Sequence, residues 1–330
     1  MGGSARGRLK SLSASGAGPL SSEAVAAALR AEVSRDLGAE AAVREALVGL
    51  GADAPSQARR KAAADALSAA GAPSGSVDVD EALAKAAQPG RVAPAPAAVE
   101  DAIYQMSANI PSAGRLDELA RLAMDDPEPN APPPKSGVDA YRKYRKAFDR
   151  VEREYGLKPS QIIPFPAVES SFGENTGKFP LRDTLLAIRT DARGRFKPEQ
   201  REQAGRDLAA LTRLLAAGDL GGRRAEGIRG SNMGAIGVTQ FLPSSWDAYG
   251  RSMRGGRRDP WNFGDAVLST GNYLDQHGAR RSYDQAILAY NRSEKYRRQI
   301  RQYGANVEPG VAAARGKPAT PSESESPPEQ

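Results

Sequence analysis

From residue 137 onward the apolar residues Val138, Tyr141, Tyr144, Phe148, Val151 and Tyr155 recur every three or four positions along an otherwise basic stretch. That spacing places them on one face of a helix. The same period returns at 181–190, 199–217, 263–276 and 283–301, while strand signals are scarce and no clear Asn-Gly or Asp-Gly hairpin joins alternating runs. Such a chain buries apolar surface by packing helix on helix, so the fold class expected is mainly α. Gly156 should end the helix that begins near 137, and Pro159 can open the next at a position where its missing N–H costs nothing. Pro164 and Pro166 each lack an N–H and restrict the residue before them, so an uninterrupted helix leading to Glu169 is not expected.

The first third reads differently. Ser22 can cap a helix carrying Val25, Leu29, Val33 and Leu37, with Gly38 as its stop. The Ala-rich stretches 40–50 and 56–69 keep helical spacing but bury little area unless they pack together. Pro-rich or small-residue segments at 71–78, 88–98 and 126–136 read as linkers, and 308–330 is a Pro/Ser/Glu tail. The expected division is 1–135, an Ala/Pro-rich N-terminal extension, partly helical or disordered; 136–306, the catalytic domain; and 307–330, a disordered tail. The extension carries no recognisable chemistry. It is read either as a spacer or protein-partner segment or as a loosely folded appendage.

Composition narrows the chemistry. Cysteine is absent and His277 is the single histidine, which excludes thiol nucleophiles, disulfides and a zinc site built on several histidines. Acid–base work therefore falls to carboxylates, Tyr or Lys. Residues 136–306 carry 30 Lys/Arg against 19 Asp/Glu, whereas the remainder is net acidic. A basic surface of this kind attracts polyanions such as bacterial cell wall, and without a basic-aromatic strip that stacks bases a nucleic-acid partner is not expected. No window approaches the length of an apolar membrane span, and Met1 to Leu20 has basic residues but no apolar core of a signal peptide.

Glu169 lies in Phe165-Pro-Ala-Val-Glu-Ser-Ser-Phe-Gly173, where apolar neighbours disfavour its ionised form and should raise its pKa. A carboxyl kept neutral can donate a proton to a glycosidic oxygen. Downstream stand a Gly-rich segment, Gly230-Ser-Asn-Met-Gly-Ala-Ile-Gly-Val-Thr-Gln-Phe-Leu-Pro243, and Tyr290-Asn-Arg-Ser-Glu-Lys-Tyr296. Gly234 and Gly237 would let backbone approach a sugar ring or make a tight contact within the protein. Trp246 and Trp261 could stack on sugars, but a core role is the simpler reading, for Trp261 because Asp259-Pro-Trp-Asn262 looks like a turn and helix start. His277 before Gly278 reads as a helix C-terminus.

These segments, with Gly173-Glu-Asn-Thr-Gly-Lys-Phe-Pro-Leu-Arg-Asp-Thr-Leu185, Asp259-Pro-Trp-Asn262 and Asn272-Tyr-Leu274, resemble the lytic murein transglycosylases of the B type over roughly 137 to 304. The resemblance implies a lysozyme-like catalytic domain that cuts peptidoglycan glycan strands between N-acetylmuramic acid and N-acetylglucosamine, leaving a 1,6-anhydromuramic end. Carried over by position, it implies that Glu169 is the single catalytic acid and base, that Ser231 lines the site and that Gln240 contacts sugar, with Phe241 beside it. Tyr290, Asn291 and Tyr296 would stand near the scissile bond. Arg193 falls where the family has an Asp-x-Arg-Arg pair, but Gly194 replaces the second arginine and Arg195 follows one place later. Family members often carry an acidic loop able to hold calcium, whereas this chain has Arg251-Ser-Met-Arg-Gly-Gly-Arg-Arg-Asp259, so neither metal nor cofactor is expected. The resemblance places the protein in the cell envelope, periplasmic or extracellular. A hydrolytic muramidase of the same fold and an inactive peptidoglycan-binding protein stand as alternatives.

Overall fold

The computed structural model describes residues 20–51, 53–72, 75–88, 91–125 and 137–316. Its chain separates into two compact units, one formed by Met1–Pro127, Gly177–Ala235 and Phe241–Tyr249, the other by Glu128–Thr176, Ile236–Gln240 and Gly250–Gln330. Among the described residues both are built of helices, apart from one pair of two-residue strands.

The first unit opens with α1, Ser22–Leu50, whose N-cap Ser21 accepts from the Ala24 N–H at 3.1 Å. Gly38 was expected to stop this helix, yet α1 runs through it. Ala39 and Val43 beyond the glycine are buried against Ala63 and Leu67 of α2, Ser56–Ala69, and Val79 of α3, Ser76–Ala86. Burial on both sides of one glycine outweighs its cost of about 1 kcal/mol in a helix interior. The Ala-rich helices thus meet the condition set by their sequence: they pack on one another. Pro96–Ser107 (α4) and Ala113–Asp125 (α5) follow, so part of the expected linker sequence is helical, while 126–136 lies outside the described residues.

A buried ion cluster ties the N-terminal helices to later parts of the same unit. Both Asp247 and Arg213 are buried, and the Asp247 carboxylate meets Arg213 at 2.8 Å, Arg91 at 2.8 Å and Lys85 at 3.2 Å. Arg91 also pairs with Glu40 at 2.8 Å. Desolvation offsets most of the attraction in such a cluster, so its contribution lies in admitting one arrangement, and removing a single partner would leave an uncompensated charge. Trp246 in Pro243–Tyr249 is fully buried, its indole N–H donating to the Asp219 carbonyl at 3.2 Å; here the core reading holds.

The second unit begins with two helices where the stripe suggested one: α6, Gly137–Lys143, and α7, Arg145–Tyr155. The break is Tyr144, outside helical geometry at φ −114°, ψ 27°, with its ring stacked on Phe263 at 3.9 Å. Gly156 closes α7 at φ +69°, and Pro159 opens α8, Pro159–Ile162, both as expected. Pro164 then starts α9, Pro164–Ser170, at the helix N-terminus where proline is tolerated, so the two prolines shape a short helix rather than disrupt a long one. Helix α10, Phe263–Gln276, is buried along most of its length, and Gly271 lets Val151 and Tyr155 of α7 approach closely: a Cβ there would fall 2.7 Å from Val151. His277 caps it. Tyr283–Tyr290 (α11) and Glu294–Arg315 (α12) complete the unit. Residues 307–315, assigned from sequence to the tail, are the end of α12. Val307, Val311 and Ala314 form a buried seam there that outweighs Pro309, while residues 317–330 lie outside the described ones.

Candidate active site

Glu169 sits in the last turn of α9, and the chain leaves that helix through a strained corner. Ser171 and Phe172 both take left-handed backbone conformations, φ +51° and +60°, as does Gln240 at +48°. Positive φ at three non-glycine positions costs free energy that surrounding contacts must offset. Ser170 supplies part of the clamp: its hydroxyl donates to the Val238 carbonyl at 2.5 Å and accepts from the Gly173 N–H at 2.8 Å. The Phe172 N–H also returns to the Pro166 carbonyl at 2.7 Å.

The glutamate faces an aromatic wall. Tyr296, buried at the start of α12, donates its hydroxyl to Glu169 Oε1 at 2.5 Å. The Tyr290 ring lies parallel to Tyr296 at 6.5 Å, and Phe165 of α9 meets Tyr290 edge-on at 5.0 Å. Tyr290 donates its hydroxyl to the Thr239 carbonyl, one residue before Gln240. Burial, reinforced by the negative charge of Glu169, holds both phenols far above the ordinary tyrosine range. They therefore remain neutral O–H donors at any working pH. Tyr273, to which the sequence reading gave no role, supports this wall: its ring meets Tyr290 edge-on at 5.1 Å and its hydroxyl donates to the Ala289 carbonyl at 2.8 Å. The signal available was its place four residues before His277, on which it stacks at 3.9 Å.

The remaining site candidates fall in different places. Gln240 directs its amide nitrogen to the Gly237 and Thr176 carbonyls at 2.7 and 3.3 Å, so this end of the side chain holds the turn. Asn291 is the exposed C-cap of α11 next to Tyr290. Ser231, Arg193 and Phe241 belong to the first unit. There the Ser231 hydroxyl accepts from the Met233 and Ala235 N–H groups at 3.2 and 3.0 Å, Arg193 is exposed and pairs with Asp117 at 3.1 Å, and Phe241 is buried, 5.9 Å from Trp246. The two glycines considered for sugar approach make the tight contacts within the protein that were the other reading. A Cβ on Gly237 would lie 2.2 Å from the Pro260 carbonyl oxygen and one on Gly234 2.5 Å from Leu185.

The sequence model of the family described as the transglycosylase SLT domain matches residues 131–325, more than half of the chain and all of the residues around Glu169. The chain belongs to the transglycosylase SLT domain family. Among curated proteins it is similar to the membrane-bound lytic murein transglycosylase B of Escherichia coli strain K12, 29% identical over 208 residues, which cover 56% of this chain and 55% of that protein. The match thus spans about half of the relative's length. Two solved structures share the fold. The E. coli lytic transglycosylase Slt35 in complex with calcium has a TM-score of 0.52 at 20% identity, covering 66% of this chain and 89% of that one. The catenated lytic transglycosylase SltB1 of Pseudomonas aeruginosa has a TM-score of 0.51 at 20% identity, covering 66% and 93%. The SLT domain here is accordingly mainly α and lysozyme-like.

Calcium in the Slt35 complex prompts a test of fit. In this SLT domain Asp265 Oδ1 accepts the Met253 N–H at 2.7 Å and Oδ2 the Asp259 N–H at 3.0 Å, while Arg251, Arg254, Arg257 and Arg258 occupy the loop between. Both carboxylate oxygens are engaged and the nearby side-chain charges are mostly positive. The residues do not fit a calcium ion, which needs six or more oxygen ligands.

Proposed function

We propose that this chain is a peptidoglycan lytic transglycosylase that cuts the β-1,4 bond from N-acetylmuramic acid to N-acetylglucosamine and leaves a 1,6-anhydromuramic end, with Glu169 acting first as acid and then as base. The observation that carries the reading is the 2.5 Å contact from the buried, permanently protonated Tyr296 hydroxyl to Glu169 Oε1. It orients the carboxyl within an aromatic wall, and Oε2 is the oxygen we assign to meet a glycosidic oxygen. Proton donation from Oε2 lets the leaving sugar depart while positive charge develops at the anomeric carbon. The substrate's acetamido oxygen stabilises that charge from the opposite face, as in substrate-assisted glycosidases that work with one carboxylate. The Glu169 carboxylate then takes the proton of the muramoyl C6 hydroxyl as that oxygen attacks the anomeric carbon, so no water is consumed. Proximity of the hydroxyl replaces an ordered water.

Tyr290 supports this by closing the wall behind Tyr296, and the Gln240 amide oxygen and the exposed Asn291 side chain are the groups assigned to hold sugar amide and hydroxyl groups. Family membership and the curated relative's name support peptidoglycan as substrate and the cell envelope as the place of action. No described helix is long and apolar enough to cross a membrane. Release of soluble fragments from purified sacculi tests the assignment: the wild-type chain should release them and a folded Glu169→Gln variant should not. Equal release by both would remove Glu169 from the chemistry.

A further inference from the structure

Within the first unit, a half-enclosed cavity of about 110 Å³ lies among α1, α3 and the helices Leu181–Arg189 and Pro198–Ala217. Arg35, Arg189 and Arg206 line it, and in each the Nε atom is shielded from solvent with no hydrogen-bond partner. Only one other buried side-chain polar atom among the described residues is left in that state, so the shortfall is concentrated here. Arg35 and Arg206 commit a terminal nitrogen to Glu32 and Gln203. Arg189 makes no hydrogen bond or ion pair among the described residues, and burial holds its guanidinium below the ordinary arginine range. Gly205 leaves room for it, since a Cβ there would fall 3.1 Å from Arg189 Nε. Across the same space Glu81 of α3 is 9% exposed, and its carboxyl likewise has no hydrogen bond or ion pair among the described residues. Asp78, one turn before it, also lines the cavity. The other lining cations do not reach these carboxyls, because Lys85 and Arg213 pair with Asp247 at 3.2 and 2.8 Å.

A buried charge without a partner is costly, and an unbonded buried donor marks a place where another group completes the bonding. Water satisfies donors but brings no opposite charge to either side of this cavity. A simple anion would answer the arginines and face Glu81 and Asp78, whereas a simple cation would answer the carboxyls and face the arginines. A small molecule carrying both signs satisfies both walls at once. The apolar part of the lining is Leu67 and the alanines 39, 72, 82 and 209, which suits a short aliphatic group. Size agrees: an engineered cavity of about 150 Å³ takes up benzene, so the space here suits a ligand of roughly six non-hydrogen atoms.

We propose that this cavity is a binding site for a small neutral α-amino acid of about the size of alanine, its carboxylate paired with Arg189 and its ammonium with Glu81. The unbonded Nε–H groups of Arg35 and Arg206 complete the carboxylate's hydrogen bonds, and Asp78 adds a second acceptor for the ammonium. Guanidinium and carboxylate form strong charge-assisted pairs. The ligand is the free amino acid, because both charged ends are needed at once. Helices from separate stretches of the chain form the walls, so an occupant would tie α1 and α3 to the later helices of the unit. The inference does not depend on the transglycosylase reading, since the cavity belongs to the first unit and Glu169 to the second.

Isothermal titration calorimetry on the full chain tests this, with alanine of either hand, N-acetylalanine, alaninamide and inorganic phosphate as probes. Alanine should bind and should raise the melting temperature, because a ligand held only by the folded state stabilises it. Blocking either charged end should weaken binding about tenfold or more, the scale of one charge-assisted hydrogen bond. Glu81→Gln should weaken alanine by a similar factor and leave N-acetylalanine unchanged. Arg189→Gln should weaken alanine and leave alaninamide unchanged, with circular dichroism showing both variants folded. Should either variant fail to fold, the order of the probes on the unaltered chain still decides. No binding of alanine, equal binding of the blocked forms, tighter binding of phosphate, or folded variants that take up alanine as the wild type does would overturn the proposal. Digestion of sacculi is a separate readout, so any of those results would leave the assignment of Glu169 where it stands.

Discussion

At the scale of single residues, the contact between Tyr296 and Glu169 has opposite effects from those of its surroundings. Aromatic and apolar neighbours disfavour a charged glutamate, whereas the hydroxyl donated at 2.5 Å favours it. Tyr296→Phe should therefore raise the pH at which the acid loses its proton. The basic limb of the rate profile should move to higher pH while the maximal rate falls about tenfold, since a positioning hydrogen bond is lost. An unmoved profile would mean that the hydroxyl does not act on the reacting carboxyl. Ser170 is a stability residue by the same reasoning. Ser170→Ala leaves the Gly173 N–H without its side-chain acceptor at a corner with positive φ, and denaturant unfolding should register a loss of about 1–3 kcal/mol. Glu169, Tyr290 and Tyr296 were legible in sequence because short motifs mark them. Their mutual geometry was not, because 127 residues separate donor and acceptor and only tertiary packing closes that distance.

At the scale of elements, the sequence located most helices of the second unit, but it misjudged where they break and end. Period alone cannot distinguish one helix from two that share a face, and the stacking of Tyr144 on Phe263 lies outside any local window. Gly38 as a stop, and the Pro/Ser/Glu composition that placed 307–315 in the tail, misled in the same way, since buried contacts outweigh a local signal. The loop 251–259 shows the converse: its organiser is Asp265 in the following helix, which nothing in the loop's own arginine-rich sequence announces. Neither added calcium nor a chelator should change the melting temperature, while Asp265→Ala should cost about 1–3 kcal/mol by releasing two backbone donors. A chelator-induced drop would show that a metal holds the loop. Gly237→Ala should also destabilise, by about 2 kcal/mol or more, because its φ of +73° and the Pro260 carbonyl leave no room for a methyl group.

At the scale of the whole molecule, two buried carboxyls make stability depend on pH. Burial, opposed by Lys85, pushes Glu81 up to about 7, and burial, opposed by the Ser244 N–H, pushes Asp207 up to about 6. A carboxyl that binds its proton more tightly when folded contributes fully below its unfolded value and loses that contribution as the pH rises through the folded value. The melting temperature should therefore fall as the pH rises from about 4 to about 7, the loss of stability from Glu81 being on the order of 3 kcal/mol, and Glu81→Gln should flatten the slope. A melting temperature that rises over this range, or a slope unchanged in the variant, would contradict the assignment. Nothing in the order of residues announced the cluster joining Glu40, Lys85, Arg91, Arg213 and Asp247, since charges distant in sequence look like solvated surface until the fold buries them. The central claim concerns chemistry, and one measurement addresses it: mass spectrometry of the muropeptides released from purified sacculi. One carboxylate in an aromatic site, with the substrate's own hydroxyl as nucleophile, should yield anhydromuramic ends, absent from Glu169→Gln digests; reducing ends heavier by one water would show hydrolysis and contradict the mechanism.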